Sequence, residues 1–150
     1  APAAPTLAAT APTATATALD EESLLSVVVD LSGRRDAALN AGDGEALAGT
    51  TVPDSPAALA DAEVLDTLTD AGESVSDLDT SVLSVVEVDV PEPCAQRWTD
   101  ARAVKIRQSQ PPSSRTAADG TVRTVPAQAA REVVLVLVPG PWRVAEVRAV

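Results

Sequence analysis

The chain contains no histidine, phenylalanine, tyrosine or methionine. Without histidine there can be no Ser-His-Asp triad, no Cys-His pair and no imidazole base. Cys94 is the single cysteine, so a zinc site would have to rest on carboxylates, and no disulfide framework can close within the chain. Trp98 and Trp142 are the only rings, too few to interleave with basic strands as a stacking platform for nucleic acid. No apolar run approaches the roughly 20 residues of a membrane span. No glycine-rich phosphate loop is present either: Gly42-Asp43-Gly44 reads as a helix-to-helix turn. Asp77-Leu78-Asp79 reads as a loop ahead of a strand, with a weak calcium site as the alternative. No catalytic, cofactor-binding or metal-ligating set emerges, and no cofactor is expected.

What is present suits one domain. The chain has 150 residues, 45% of them hydrophobic, which is enough for a real core. That core must be built from Ala, Val and Leu, which bury less area per side chain than aromatics do. Net charge is −11, unevenly spread. Residues 1–96 hold eighteen acids and two arginines, net −16; residues 97–150 hold nine bases and four acids, net +5. The acidic part argues against nucleic-acid binding, since phosphate and carboxylate repel. The arginines of the last third suit the solvent faces of strands, with anion docking as the alternative. Alanine abundance, with Lys105 as the only lysine, suggests a GC-rich genome. Cys94 lies in VPEPCAQ, where nearby carboxylates raise a thiol's pKa, so it is expected to be passive or buried, with an intermolecular disulfide as the alternative.

Residues 1–19, APAAPTLAATAPTATATAL, form an uncharged Ala/Pro/Thr tract that cannot offset its own ordering entropy, and it is expected to be a disordered linker or stalk. The sequence does not begin with methionine and carries no charged-then-apolar signal, so it reads as a processed or excised fragment whose targeting segment is missing. The domain is expected over 20–150. Asp20 reads as a helix N-cap, Leu24, Leu25, Val28 and Leu31 as its apolar stripe, and Gly42 as its stop. Asp43 caps a short helix through Ala48. Ser55-Pro56 opens a third helix ending at Gly72, with Ala58, Leu59, Ala62, Leu65 and Leu68 or Thr69 inward and Asp61, Glu63, Asp66 and Asp70 on the wet side. The period then changes. Residues 80–90 alternate over their second half, with Val86, Val88 and Val90 in and Glu87 and Asp89 out; Val104 and Ile106 alternate with Lys105 and Arg107. Asp119-Gly120 turns into the short strand TVRTV. Val133–Val138 is a strand buried on both faces, and Pro139-Gly140-Pro141 turns it into a last strand. Helices first, then about five antiparallel strands, is an α+β arrangement.

The helical opening from Ser32 through Leu68, the long strand region and the ending VVLVLVPGPWRVAEV with its W-x-V resemble the nuclear transport factor two-like (SnoaL-like) superfamily. The likeness covers roughly residues 22–150, and it is similar more narrowly to uncharacterised domains of actinobacterial exported or membrane-anchored proteins. The resemblance implies N-terminal helices packed on a strongly bent antiparallel sheet, a cone with an apolar pocket. It also implies frequent dimerisation, to which the wide apolar arc of LLSVVVDL would contribute. The superfamily's isomerase chemistry needs a carboxylate base inside the cone and a Tyr or protonated Asp as oxyanion donor. Asp100 and Glu146 are the candidates for such a carboxylate, although Asp100 is as readily paired with Arg102 and a surface or ion-paired role is the default for both. The expected function is a non-enzymatic, extracytoplasmic interaction or ligand-binding domain on its stalk, with a protein partner, self-association or a small apolar ligand, no nucleic acid, and membrane contact only through a missing anchor. An isomerase- or cyclase-like enzyme with one buried carboxylate, and a structural subunit of a surface assembly, are the alternatives.

Overall fold

The computed structural model describes residues 20–150. The Ala/Pro/Thr stalk expected over 1–19 lies outside the described residues. The architecture is α+β, with helices followed by antiparallel strands in two sheets. Helix α1 spans Glu21–Ala41, α2 Gly44–Ala48 and α3 Pro56–Ala71. Their ends follow local chemistry. Asp20, Asp43 and Ser55 accept hydrogen bonds from the amides of Ser23, Ala46 and Ala58 at 2.9, 3.0 and 3.2 Å, satisfying donors that no helical carbonyl can reach. Gly42 and Gly72 end α1 and α3 in the left-handed region, with φ of 64° and 65°.

The strands are β1 Ser74–Ser76, β2 Ser81–Val88, β3 Arg102–Gln110, β4 Ser113–Thr116, β5 Val122–Val125, β6 Gln128–Val138 and β7 Arg143–Ala149. They pair in the orders β1-β4-β5 and β2-β3-β6-β7, antiparallel throughout. The two sheets are successive stretches of the same ribbons. β3 runs on into β4 across Pro111-Pro112, and β5 runs on into β6 across Pro126-Ala127. Gln110 opposes Gln128 below the break and Ser113 opposes Val125 above it. Prolines on both strands at one level remove the ladder donors there, so the sheet bends instead of continuing. The third ribbon breaks at the same level, between Ser76 and Ser81. There Asp77 has φ 63°, and α1 holds the bend. Asn40 exchanges two hydrogen bonds with the backbone of Leu78, at 3.0 and 3.1 Å, and the buried Asp36 accepts from the Thr80 amide and hydroxyl at 2.6 and 3.0 Å. Asp77-Leu78-Asp79 is therefore a clamped bend, and no cluster of three or more metal-ligating side chains occurs among the described residues.

Strand β6 is covered on both faces, as its unbroken apolar run requires. Val133, Leu135 and Leu137 face α1, packing with Val104, Ile106, Leu24, Val28 and Leu31. Val136 faces the other way, against Ala145 and Cys94. Cys94 sits on helix α4, Glu92–Arg97, a short helix between β2 and β3 that the expected order of three helices followed by strands does not include. Two facing expectations are corrected. Bulges between Val82 and Ser84 shift the parity of β2, so Val82 and Val85 reach the core while Val86 is exposed. On α3 the inward row is Ala57, Asp61, Leu65 and Leu68; Leu59 and Ala62 are exposed, and Asp61, expected in solvent, is buried.

Candidate functional site

Between α1, α3 and the four-stranded sheet, the Ala, Val and Leu side chains do not fill the space. A cavity of about 320 Å³ remains, within the range of small-molecule sites. Its floor is apolar: Val28 and Leu31 from α1, Ile106 from β3, and Val133 and Leu135 from β6, all buried. One wall is the 50–52 segment, which lies along the first half of edge strand β7. The amide of Val52 donates to the Val144 carbonyl and the amide of Val144 to the Thr50 carbonyl, both at 2.9 Å. The second half of β7 is uncovered. Ala60 on α3, Arg131 on β6 and Val147 on β7 line the cavity and are exposed, which marks the mouth.

Most polar groups around the cavity are already satisfied. The Thr50 hydroxyl donates to the Leu47 carbonyl at 2.8 Å. The Thr80 hydroxyl accepts from Gln110 at 3.0 Å. Asp61, the single carboxylate among the lining residues, takes a forked pair from Arg35, with Nη2 at 2.9 Å and Nε at 3.2 Å from Oδ1. A carboxylate oxygen held in a guanidinium fork is already occupied by two charge-assisted donors. Two groups differ. Gln108 of β3 and Arg131 of β6 are directly opposed across the sheet at the mouth. Neither side chain makes a hydrogen bond or ion pair with another described residue.

Neither carboxylate singled out in the sequence reaches this cavity. Asp100 lies in the turn before β3, exposed, with φ 58°. Arg102, expected as its partner, pairs with Glu87 instead, Nη2 to Oε1 at 2.8 Å. Glu146 is on the opposite face of the sheet, because a bulge at Ala145 lets Val144 oppose Leu137 while Glu146 opposes Val136. There it accepts a hydrogen bond from the Cys94 thiol at 3.2 Å and one from Arg148. Burial pushes the Cys94 thiol up, and the Glu146 charge adds to that. Burial alone would raise Glu146 too, but the hydrogen bonds from Cys94 and Arg148 outweigh it and hold the carboxyl below its ordinary value. Thiol and carboxylate thus brace α4 against β7.

Asp61 is the residue that sequence reasoning placed wrongly. The signal for it was on α1. Arg34 has its acid one turn back, in Asp30 at 3.1 Å, whereas one turn back from Arg35 stands Leu31. An arginine sharing a face with Leu31 needs a partner from another element, and Asp61 falls in the Ala57–Leu68 row that meets it.

No helix among the described residues is long and apolar enough to cross a membrane. No family model matches the chain, and no curated protein matches it significantly. Among solved structures it is similar to the intermembrane space region of the chloroplast protein ARC6, with a TM-score of 0.58 and 11% identity over 89% of this chain and 99% of that one. A function-unknown protein of Mycobacterium tuberculosis, Rv3472, matches with a TM-score of 0.48 and 18% identity over 83% of this chain and 73% of that one. At 11% identity, what this chain shares with the ARC6 region is the fold.

Proposed function

We propose that this chain is a non-enzymatic ligand-binding domain of nuclear transport factor two-like architecture, spanning 20–150 and tethered outside the cytoplasm by the Ala/Pro/Thr segment 1–19. The observation that carries the binding role is the cavity itself: an apolar floor, an open mouth, and a lone lining carboxylate already held by Arg35. A site of this kind takes up apolar surface and offers no free base. The isomerase-like alternative has less support, since Asp100 and Glu146 stand away from the cavity. The extracytoplasmic tether rests on the composition of 1–19, and the ARC6 region, named for an intermembrane space, is compatible with it.

Titration of the full chain with the neutral probe N-phenyl-1-naphthylamine tests this reading. The expected result is saturable fluorescence enhancement with one site per chain. Ala60→Trp, at the mouth, should abolish it, while Leu59→Trp, on the solvent side of α3, should not. Unsaturable binding, or binding indifferent to Ala60→Trp, would sink the proposal.

A protein partner is the second reading, favoured by one observation. Leu25 and Val29 stay exposed on α1, and Leu83 and Val86 stay exposed on edge strand β2. Sedimentation at micromolar concentration tests self-association: a monomeric mass rules it out, and a dimeric mass lost in Val29→Asp supports it.

A further inference from the structure

We propose that the cavity selects an amphiphile with a carboxylate head, its chain laid along β6 and its head held by Arg131 and Gln108; this rests on the ligand-binding reading above. Arg131, Val133 and Leu135 project in turn from one face of β6, so cation and apolar floor form a single track about 13 Å long. That length suits an extended medium-length alkyl chain. At its head, Arg131 and Gln108 are a directly opposed cross-strand pair, close enough for one two-oxygen group to accept from both. The guanidinium and amide both present N–H donors, which match a planar carboxylate. The other charges lining the cavity, Arg35 and Asp61, neutralise each other; Arg131 has no acid partner among the described residues. The whole molecule carries −11, so an uncompensated cation at the mouth is the local feature that would draw an anion to an otherwise repelling surface. A neutral amphiphile would gain only the apolar floor, and a cationic one would be repelled by Arg131.

Competition against bound N-phenyl-1-naphthylamine at neutral pH, with decanoate and decanol as the two competitors, tests the inference. Decanoate should displace the probe at about tenfold lower concentration than decanol, the gain of one charge-assisted contact. Arg131→Gln should erase that preference, each competitor being read against the probe affinity of the variant itself. Arg107→Gln, on the other face of β3, should keep it. Equal displacement by the two competitors, or a preference that survives Arg131→Gln, overturns the inference. If the probe binds and neither competitor displaces it, the carboxylate inference falls and the cavity reading stands. If the probe itself does not bind, the cavity reading falls and takes this inference with it.

Discussion

Cys94 shows how burial sets the chemistry of a single side chain. Its residue is 1% exposed, and its thiol is raised first by burial and then by Glu146. The native thiol should therefore resist a disulfide exchange reagent at neutral pH and react at once in denaturant; rapid modification of the folded protein would contradict the placement of α4. A thiol whose folded pKa is raised contributes stability that is present below the unfolded value of 9.0 and lost as pH rises beyond it. The carboxylates run the other way. Hydrogen bonding to Arg102 lowers Glu87, and the bonds from Cys94 and Arg148 lower Glu146, both from an ordinary value of 4.5. Their contributions are present above that value and are lost as pH falls through the lower, folded pKa. Denaturation midpoints measured from pH 6 down to pH 3 should fall, and the double change Glu87→Gln with Glu146→Gln should flatten that slope.

Among the elements, α1, α2 and α3 were legible because their signals are local, whereas α4 has no side-chain cap to mark it. Caps at Asp20, Asp43 and Ser55 and stops at Gly42 and Gly72 each depend on a few neighbouring residues. Gly72→Ala should cost about 1 kcal/mol, since φ 65° disfavours a side chain while the added Cβ would meet only Ala118 at 3.5 Å. A denaturation curve unchanged by the substitution would contradict the cap. The bend between β1 and β2 is different in kind, because Asp36 and Thr80 are 44 residues apart. Asp36→Ala should cost about 1–3 kcal/mol, since it strips the acceptor from a part-buried amide and hydroxyl. Asp30→Ala, which breaks only an exposed pair one turn apart, should cost under about 0.5 kcal/mol. Equal losses in chemical denaturation would refute the clamp. The strand reading failed for the same non-local reason. The bulges at Leu83 and Ala145 are settled by pairing with β3 and β6, and each turned a valine or a glutamate to the unexpected face.

At the scale of the whole molecule, one core joins α1 to the sheet. Leu137, fully buried between them, should cost about 2–5 kcal/mol when cut to alanine, whereas Leu59→Ala on the exposed side of α3 should stay within about 0.5 kcal/mol, both read from denaturation midpoints. The sequence by itself determined the α+β order, the helix limits, the two-faced burial of β6 and the exclusion of imidazole chemistry, because composition, caps and periodicity act within one turn or one strand. Only the tertiary structure decided that prolines at one level bend the sheet, that Asp61 turns inward to Arg35, and that α1, α3 and β6 enclose a cavity with Arg131 at its mouth. Those features are set by which distant surfaces meet and where they fail to meet, and a void between elements has no residue of its own to mark it in the chain.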